Sequence, residues 1–103
     1  MIDEAKIREV VSKLVEAANP VRVILFGSYG RGEARDDSDL DFLVIERDVA
    51  DKAGEMVRLR RALRPLRVPV DVLVTSAAEV EDIGHLPGTV LYWALREGRI
   101  VHG

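Results

Sequence analysis

The sequence has no cysteine, which excludes disulfides, thiolate metal sites and cysteine nucleophiles together. Its two histidines, His85 and His102, are far apart and offer no ligand spacing, so a dedicated zinc site is not expected. No apolar run is long enough to cross a bilayer, and no membrane association is expected. The chain opens Met1-Ile2-Asp3-Glu4-Ala5-Lys6 rather than with a basic segment followed by an apolar one. No signal peptide is read there, and a soluble cytoplasmic protein is the expectation. An excess of positive charge is missing too: the formal net charge is -3, which argues against direct nucleic-acid binding while leaving a local basic patch open. What is present is ordinary for one soluble globular domain over residues 1–103, with 48% hydrophobic and 32% charged residues.

Hydrophobic spacing divides the chain into alternating elements. Residues 3–18 place Ile7, Val10, Val11, Leu14, Val15 and Ala18 at helical intervals, and Asn19-Pro20 stops that helix. Val21 to Phe26 reads as a buried strand ended by Gly27. Residues 27–38 leave room for a short helix at most. A second strand is expected over 39–45, a helix over 51–66, and a third strand over 68–74 with Pro69 near its start. Ser76-Ala77-Ala78-Glu79 has the capping-box pattern and should open a short helix, which Pro87-Gly88 breaks. A last helix over 88–97 ends at Gly98, and 99–102 is read as a short terminal strand. There are no internal repeats, linkers or low-complexity segments.

This alternation predicts an α/β (α+β) domain, a mixed β-sheet flanked by helices. Gly27-Ser28 leaves the end of strand one, whereas Asp39 and Asp41 stand at the start of strand two. They share one site only if those strands run antiparallel. Strand three follows a helical crossover and should lie parallel to strand two, bringing Asp71 to the same end.

Asp39-Leu40-Asp41 is the centre of the chemistry. Alternate residues of a strand face the same side, so the two carboxylates project together with Cα atoms about 6.6 Å apart. Like charges this close need neutralising, and hard divalent cations such as Mg2+ bind carboxylates together with substrate phosphates. Asp71 lies in Val68-Pro69-Val70-Asp71-Val72-Leu73-Val74, where β-branched neighbours predict a buried strand, and a buried aspartate needs a partner. Three acids match a two-metal arrangement, with ions about 3.5–4 Å apart, for in-line phosphoryl displacement. Asp39 as a turn cap and Asp71 as an edge marker is the competing reading. Gly27-Ser28 after a buried strand allows close backbone approach and free N–H groups for phosphate oxygens, with Arg31 adding charge. A plain turn with Ser28 as N-cap is the alternative there.

Taken together, Gly27-Ser28, ten residues, then Asp39-x-Asp41 resembles the signature of the polymerase β-like nucleotidyltransferase superfamily. More narrowly, Gly27-Ser28-Tyr29-Gly30-Arg31-Gly32 and Ser38-Asp39-Leu40-Asp41 look like the blocks of minimal nucleotidyltransferase (MNT) proteins. The resemblance spans essentially the whole chain, including the closing Leu95-Arg96-Glu97-Gly98-Arg99-Ile100-Val101. Gly30 departs from the alanine frequent in the family, a small-for-small exchange. The resemblance implies that Gly27 and Ser28 hold the triphosphate and that Asp39 and Asp41 bind two Mg2+ ions. Asp71 would join one metal and help activate an acceptor hydroxyl, transferring AMP from ATP with release of pyrophosphate.

Larger relatives carry a further domain for the acceptor, and the expectation here is that a partner supplies it. MNT proteins pair with HEPN RNase toxins, so the resemblance implies an antitoxin that adenylylates its HEPN toxin, plausibly on a tyrosine. Stoichiometric neutralisation without catalysis, or transfer to a small hydroxylated molecule in a pocket completed by a homodimer, are the alternatives. Val90 to Leu95 is apolar nearly all round, so Tyr92 or Trp93 faces either another chain or covering loops. Arg58, Arg60, Arg61, Arg64 and Arg67 form a basic run that is either a solvated face or a surface for an acidic partner or ATP phosphates.

Overall fold

A computed structural model describes all 103 residues. Helix α1 (Glu4–Ala18) starts at Asp3, whose side chain accepts from the Lys6 N–H, and ends at Asn19 in the left-handed conformation. Strand β1 (Arg22–Phe26) leads into α2 (Gly27–Gly30), a single helical turn. Strand β2 (Leu40–Glu46) and helix α3 (Lys52–Leu63) follow, then a 3-10 turn (Arg64–Leu66) and β3 (Val70–Ser76). Helices α4 (Ala77–Ile83) and α5 (Val90–Glu97) and strand β4 (Arg99–His102) complete the chain.

The sheet order is β3-β2-β1-β4. β1 is antiparallel to both β2 and β4, and β2 is parallel to β3. This is the mixed sheet, with both strand directions, that a shared site had required.

Both faces of the sheet are covered. Val23, Leu25, Leu40, Phe42, Val44, Val72 and Val74 point to one face and pack with Ile7, Val10 and Leu14 of α1 and Leu59 and Leu63 of α3. Ile24, Leu43 and Ile45 point to the other, under Leu91 and Ala94 of α5. By strand alternation Asp41 and Asp71 belong to this second face, beyond Leu43 and Leu73.

Several element boundaries differ from the sequence reading for identifiable reasons. The helix expected over 51–66 ends at Leu63, because Pro65 cannot donate to its carbonyl ladder. Strand three begins at Val70 rather than 68: Pro69 has no donor, although its carbonyl accepts from the Leu40 N–H at 2.9 Å. Strand two begins at Leu40, one residue after Asp39. Helix α4 stops at Gly84, before Pro87-Gly88, and α5 starts at Val90 with Thr89 as its cap. The Ser76 cap forms, accepting from the Glu79 N–H at 3.1 Å. Its reciprocal half does not, since the Glu79 carboxylate instead accepts from Thr75 Oγ1 and pairs with Lys52.

Candidate functional site

The site lies where β1 ends and β2 and β3 begin. Asp41 is the register partner of Phe26 on one side and of Asp71 on the other. Neighbouring strands are about 4.8 Å apart, so two carboxylates stand side by side on the same face. Helix α5 packs over the middle of this face and leaves the acidic end open: Asp41 is half-buried, while Asp39 and Asp71 are exposed.

Gly27 follows Phe26 directly and folds against Asp41. Its φ is +66°, and a Cβ there would stand 2.2 Å from Asp41 Oδ2. The backbone conformation therefore favours glycine, and any Cβ would have to displace the Asp41 carboxylate. The turn it opens has no side-chain cap: Phe26 occupies the N-cap position, and Ser28 lies within the first turn rather than capping it. Tyr29 anchors this turn, its hydroxyl accepting from the Ile2 N–H at 2.9 Å. Gly30 is tighter than a small-for-small exchange suggests, because a Cβ would meet the Leu25 carbonyl oxygen at 2.5 Å.

The electrostatics tie the predicted acids together. Burial lifts the Asp41 carboxyl above the usual carboxylate range; the negative charges of Asp71 and Asp39 lift it further, and Arg31 opposes them. Arg31 caps α2 and donates from Nε to Glu33 Oε2 at 3.2 Å. Thus Gly27, Ser28, Arg31, Asp39, Asp41 and Asp71 are gathered at one end of the sheet, as the chain pattern required.

Asp71 departs from expectation. It is not buried: its side chain is 56% exposed, and Arg60 Nη2 donates to its Oδ1 at 2.7 Å. Asp71 stands at the start of β3, beyond the part of this face where Leu73 packs into the second apolar cluster, so its side chain reaches solvent. With Asp71 held by Arg60, no three carboxylates converge on a point suited to a metal ion. The donor set nevertheless fits a hard divalent cation. Its donors are all carboxylate oxygens, Asp41 carries repulsion from Asp71 and Asp39 that Arg31 only partly offsets, and the missing Cβ of Gly27 leaves Asp41 Oδ2 room. Neither Asp39 nor Asp41 has an ion-pair partner.

Arg60 is the site residue the sequence reading placed only in a basic run. The available signal was topological: in a strand–helix–strand crossover the last turns of the helix lie beside the start of the next strand.

The mixed four-stranded sheet flanked by helices defines the class first. A provisionally assigned nucleotidyltransferase from Sulfolobus solfataricus, known as a crystal structure, shares this fold with a TM-score of 0.64 and 20% identity. That similarity covers 93% of this chain and 76% of the other. Residues 4–91 match the Nucleotidyltransferase domain family, and the chain belongs to that family. No curated protein is significantly similar to it. No helix is long and apolar enough to cross a membrane.

Proposed function

We propose that the protein transfers AMP from ATP to a hydroxyl on a partner protein, a HEPN-type RNase toxin, and thereby acts as its antitoxin in the cytoplasm. The observation that carries this reading is the register of Asp41 beside Asp71, with Gly27 folded against the Asp41 carboxylate. A nucleotidyl transfer needs a phosphate cradle and a set of acids within one small volume, and the closeness of Gly27, Asp41 and Asp71 supports that reading.

In this reading the backbone of Gly27 and Ser28 holds the triphosphate, the Ser28 hydroxyl adds a donor, and Arg31 supplies charge. Asp39, Asp41 and Asp71 would hold two Mg2+ ions, which when bound would supply charge neutralisation for the phosphates in an in-line displacement. The acceptor hydroxyl oxygen forms a bond to the α-phosphorus as the bond to the bridging oxygen of pyrophosphate breaks. Asp71, the solvent-facing acid, would help activate the acceptor hydroxyl by taking up its proton. The chain's contribution is placement and charge, as in other phosphoryl transfers.

The exposed face of α5 favours a second reading, neutralisation by binding alone. Val90 and Trp93 are 58% and 49% exposed, and Tyr92 stacks edge-on against Trp93 with ring centroids 5.0 Å apart. Aromatic groups of this kind anchor protein interfaces. Incubation with Mg2+, α-labelled ATP and the product of the neighbouring gene separates the two. Label is expected on the partner, and Asp39→Asn or Asp41→Asn should abolish it. Neutralisation by the wild type without label transfer would replace catalysis by binding.

A further inference from the structure

We propose that Arg60 is a positioning residue of the acidic site, a resident counter-ion that holds Asp71 until a divalent cation displaces it. The inference rests on the reading that Asp71 is a metal ligand. The three acids are neutralised unequally. Asp39 and Asp41 have no cationic partner within ion-pair distance, whereas Asp71 Oδ1 accepts from Arg60 Nη2 at 2.7 Å. Asp71 and Asp41 are direct register partners, so this guanidinium stands at the border of the same charged cluster.

Arg60 reaches Asp71 from α3, the crossover helix between β2 and β3, and its side chain is 49% exposed. A pair this open to solvent is weak, since water screens its attraction and two long side chains must be held still. A divalent cation sharing Asp71 with Asp41 gains far more, because it also relieves the repulsion between two adjacent carboxylates. Arg60 therefore prevents Asp71 from adding to the repulsion on Asp41 at full strength before metal arrives, and it is displaced when metal binds. The cost appears as weakened metal affinity. Only a cation that outcompetes a guanidinium completes the site.

The test is Mn2+ binding to the intact chain without nucleotide, followed by loss of the free-ion paramagnetic resonance signal. Arg60→Met keeps the apolar stem and removes the charge; it should bind Mn2+ about two- to fivefold more tightly than wild type, the range an exposed ion pair represents. Arg60→Lys should restore affinity toward the wild-type value. Arg64→Met removes a charge from the same cleft, which Arg60, Leu63, Arg64, Val68 and Val70 line, without touching Asp71, and should shift affinity less. Thermal unfolding of each variant reports whether the fold is intact.

An Arg60→Met affinity equal to or weaker than wild type overturns the proposal, as does an equal gain in Arg64→Met. If Asp41→Asn still loses Mn2+ in that case, the metal-binding reading stands and only the role of Arg60 falls. If neither wild type nor Arg60→Met binds Mn2+, the metal reading fails and takes this proposal with it.

Discussion

Gly27→Ala tests whether the closeness of the first turn to Asp41 is essential. Two costs add. A residue with a Cβ at φ +66° sits in the left-handed region, which disfavours it by about 1–2 kcal/mol. The new methyl would also stand 2.2 Å from Asp41 Oδ2, so either the carboxylate rotates away or the turn retreats. The conformational cost alone should lower the melting temperature by about 4–16 °C, at about 4–8 °C per kcal/mol for a domain near this size. If Asp41 holds metal as proposed, its displacement by about 1 Å should reduce transfer by about a hundredfold. Ser28→Ala is the contrasting variant. Its side chain caps nothing, so it should melt near wild type while losing part of its nucleotide affinity. Calorimetry of both proteins, with label transfer measured on the same samples, gives the answer. A Gly27→Ala protein that melts and transfers like wild type would refute the geometric argument outright.

Further outcomes follow from groups elsewhere. Burial, a hydrogen bond donated to Glu55 and the charge of Glu55 raise the Glu46 carboxyl from 4.5 to about 7, while Arg58 hydrogen bonds chiefly lower Glu55 to about 2. The folded protein thus keeps one proton on the pair between pH 4.5 and 7, where the unfolded chain has released both, and stability falls as pH rises through that window. Below 4.5, toward 2, the unfolded chain takes up more protons and stability falls again. Glu46→Gln should remove the upper limb and gain about 1 kcal/mol at pH 8 by urea unfolding, after discounting for screening at a partly open site. Equal destabilisation of that variant at pH 5 and pH 8 would contradict the assignment. Trp93→Ala should change folding stability by less than about 1 kcal/mol because the ring is half exposed. It should weaken capture of the proposed toxin partner in a pull-down, and unchanged capture would remove α5 from the proposed interface.

Much of the site was legible because its logic is topological. Gly27 at a strand end and Asp41 at a strand start meet only across an antiparallel pair, and the Arg22–Phe26 and Leu40–Glu46 strands form that pair. Asp71 was placed by the parallel pairing that a helical crossover implies, and it is the register partner of Asp41. Its burial was misread because an apolar strand pattern does not say how far along the strand the covering helices reach, and Asp71 lies at the open end while Leu73 is packed. The ion pair from Arg60 was not readable either. It spans 11 residues, and within a run of five arginines nothing local distinguishes the one that reaches an aspartate. Boundary shifts at Leu63 and Val70 trace to Pro65 and Pro69, whose missing donors end regular bonding sooner than hydrophobic spacing implies. The Glu46–Glu55 pair escaped notice for a different reason. Such a contact depends on how α3 packs against the far end of β2, which no spacing records.

The pairing of β2 with β3 also bears on how the protein acquires activity while folding. Residues Val70, Val72 and Val74 must face α1 and α3, and Asp71 must face away. A slip of one residue would turn Asp71 into the apolar layer under α1 and α3 and take three valines out of it. Such a chain would be expensive to fold before it could be inactive. Core assembly therefore proofreads the acidic cluster: molecules that bury these valines correctly also align the two aspartates. Substitutions at Val72 or Val74 that loosen this alignment should impair catalysis without touching any polar group.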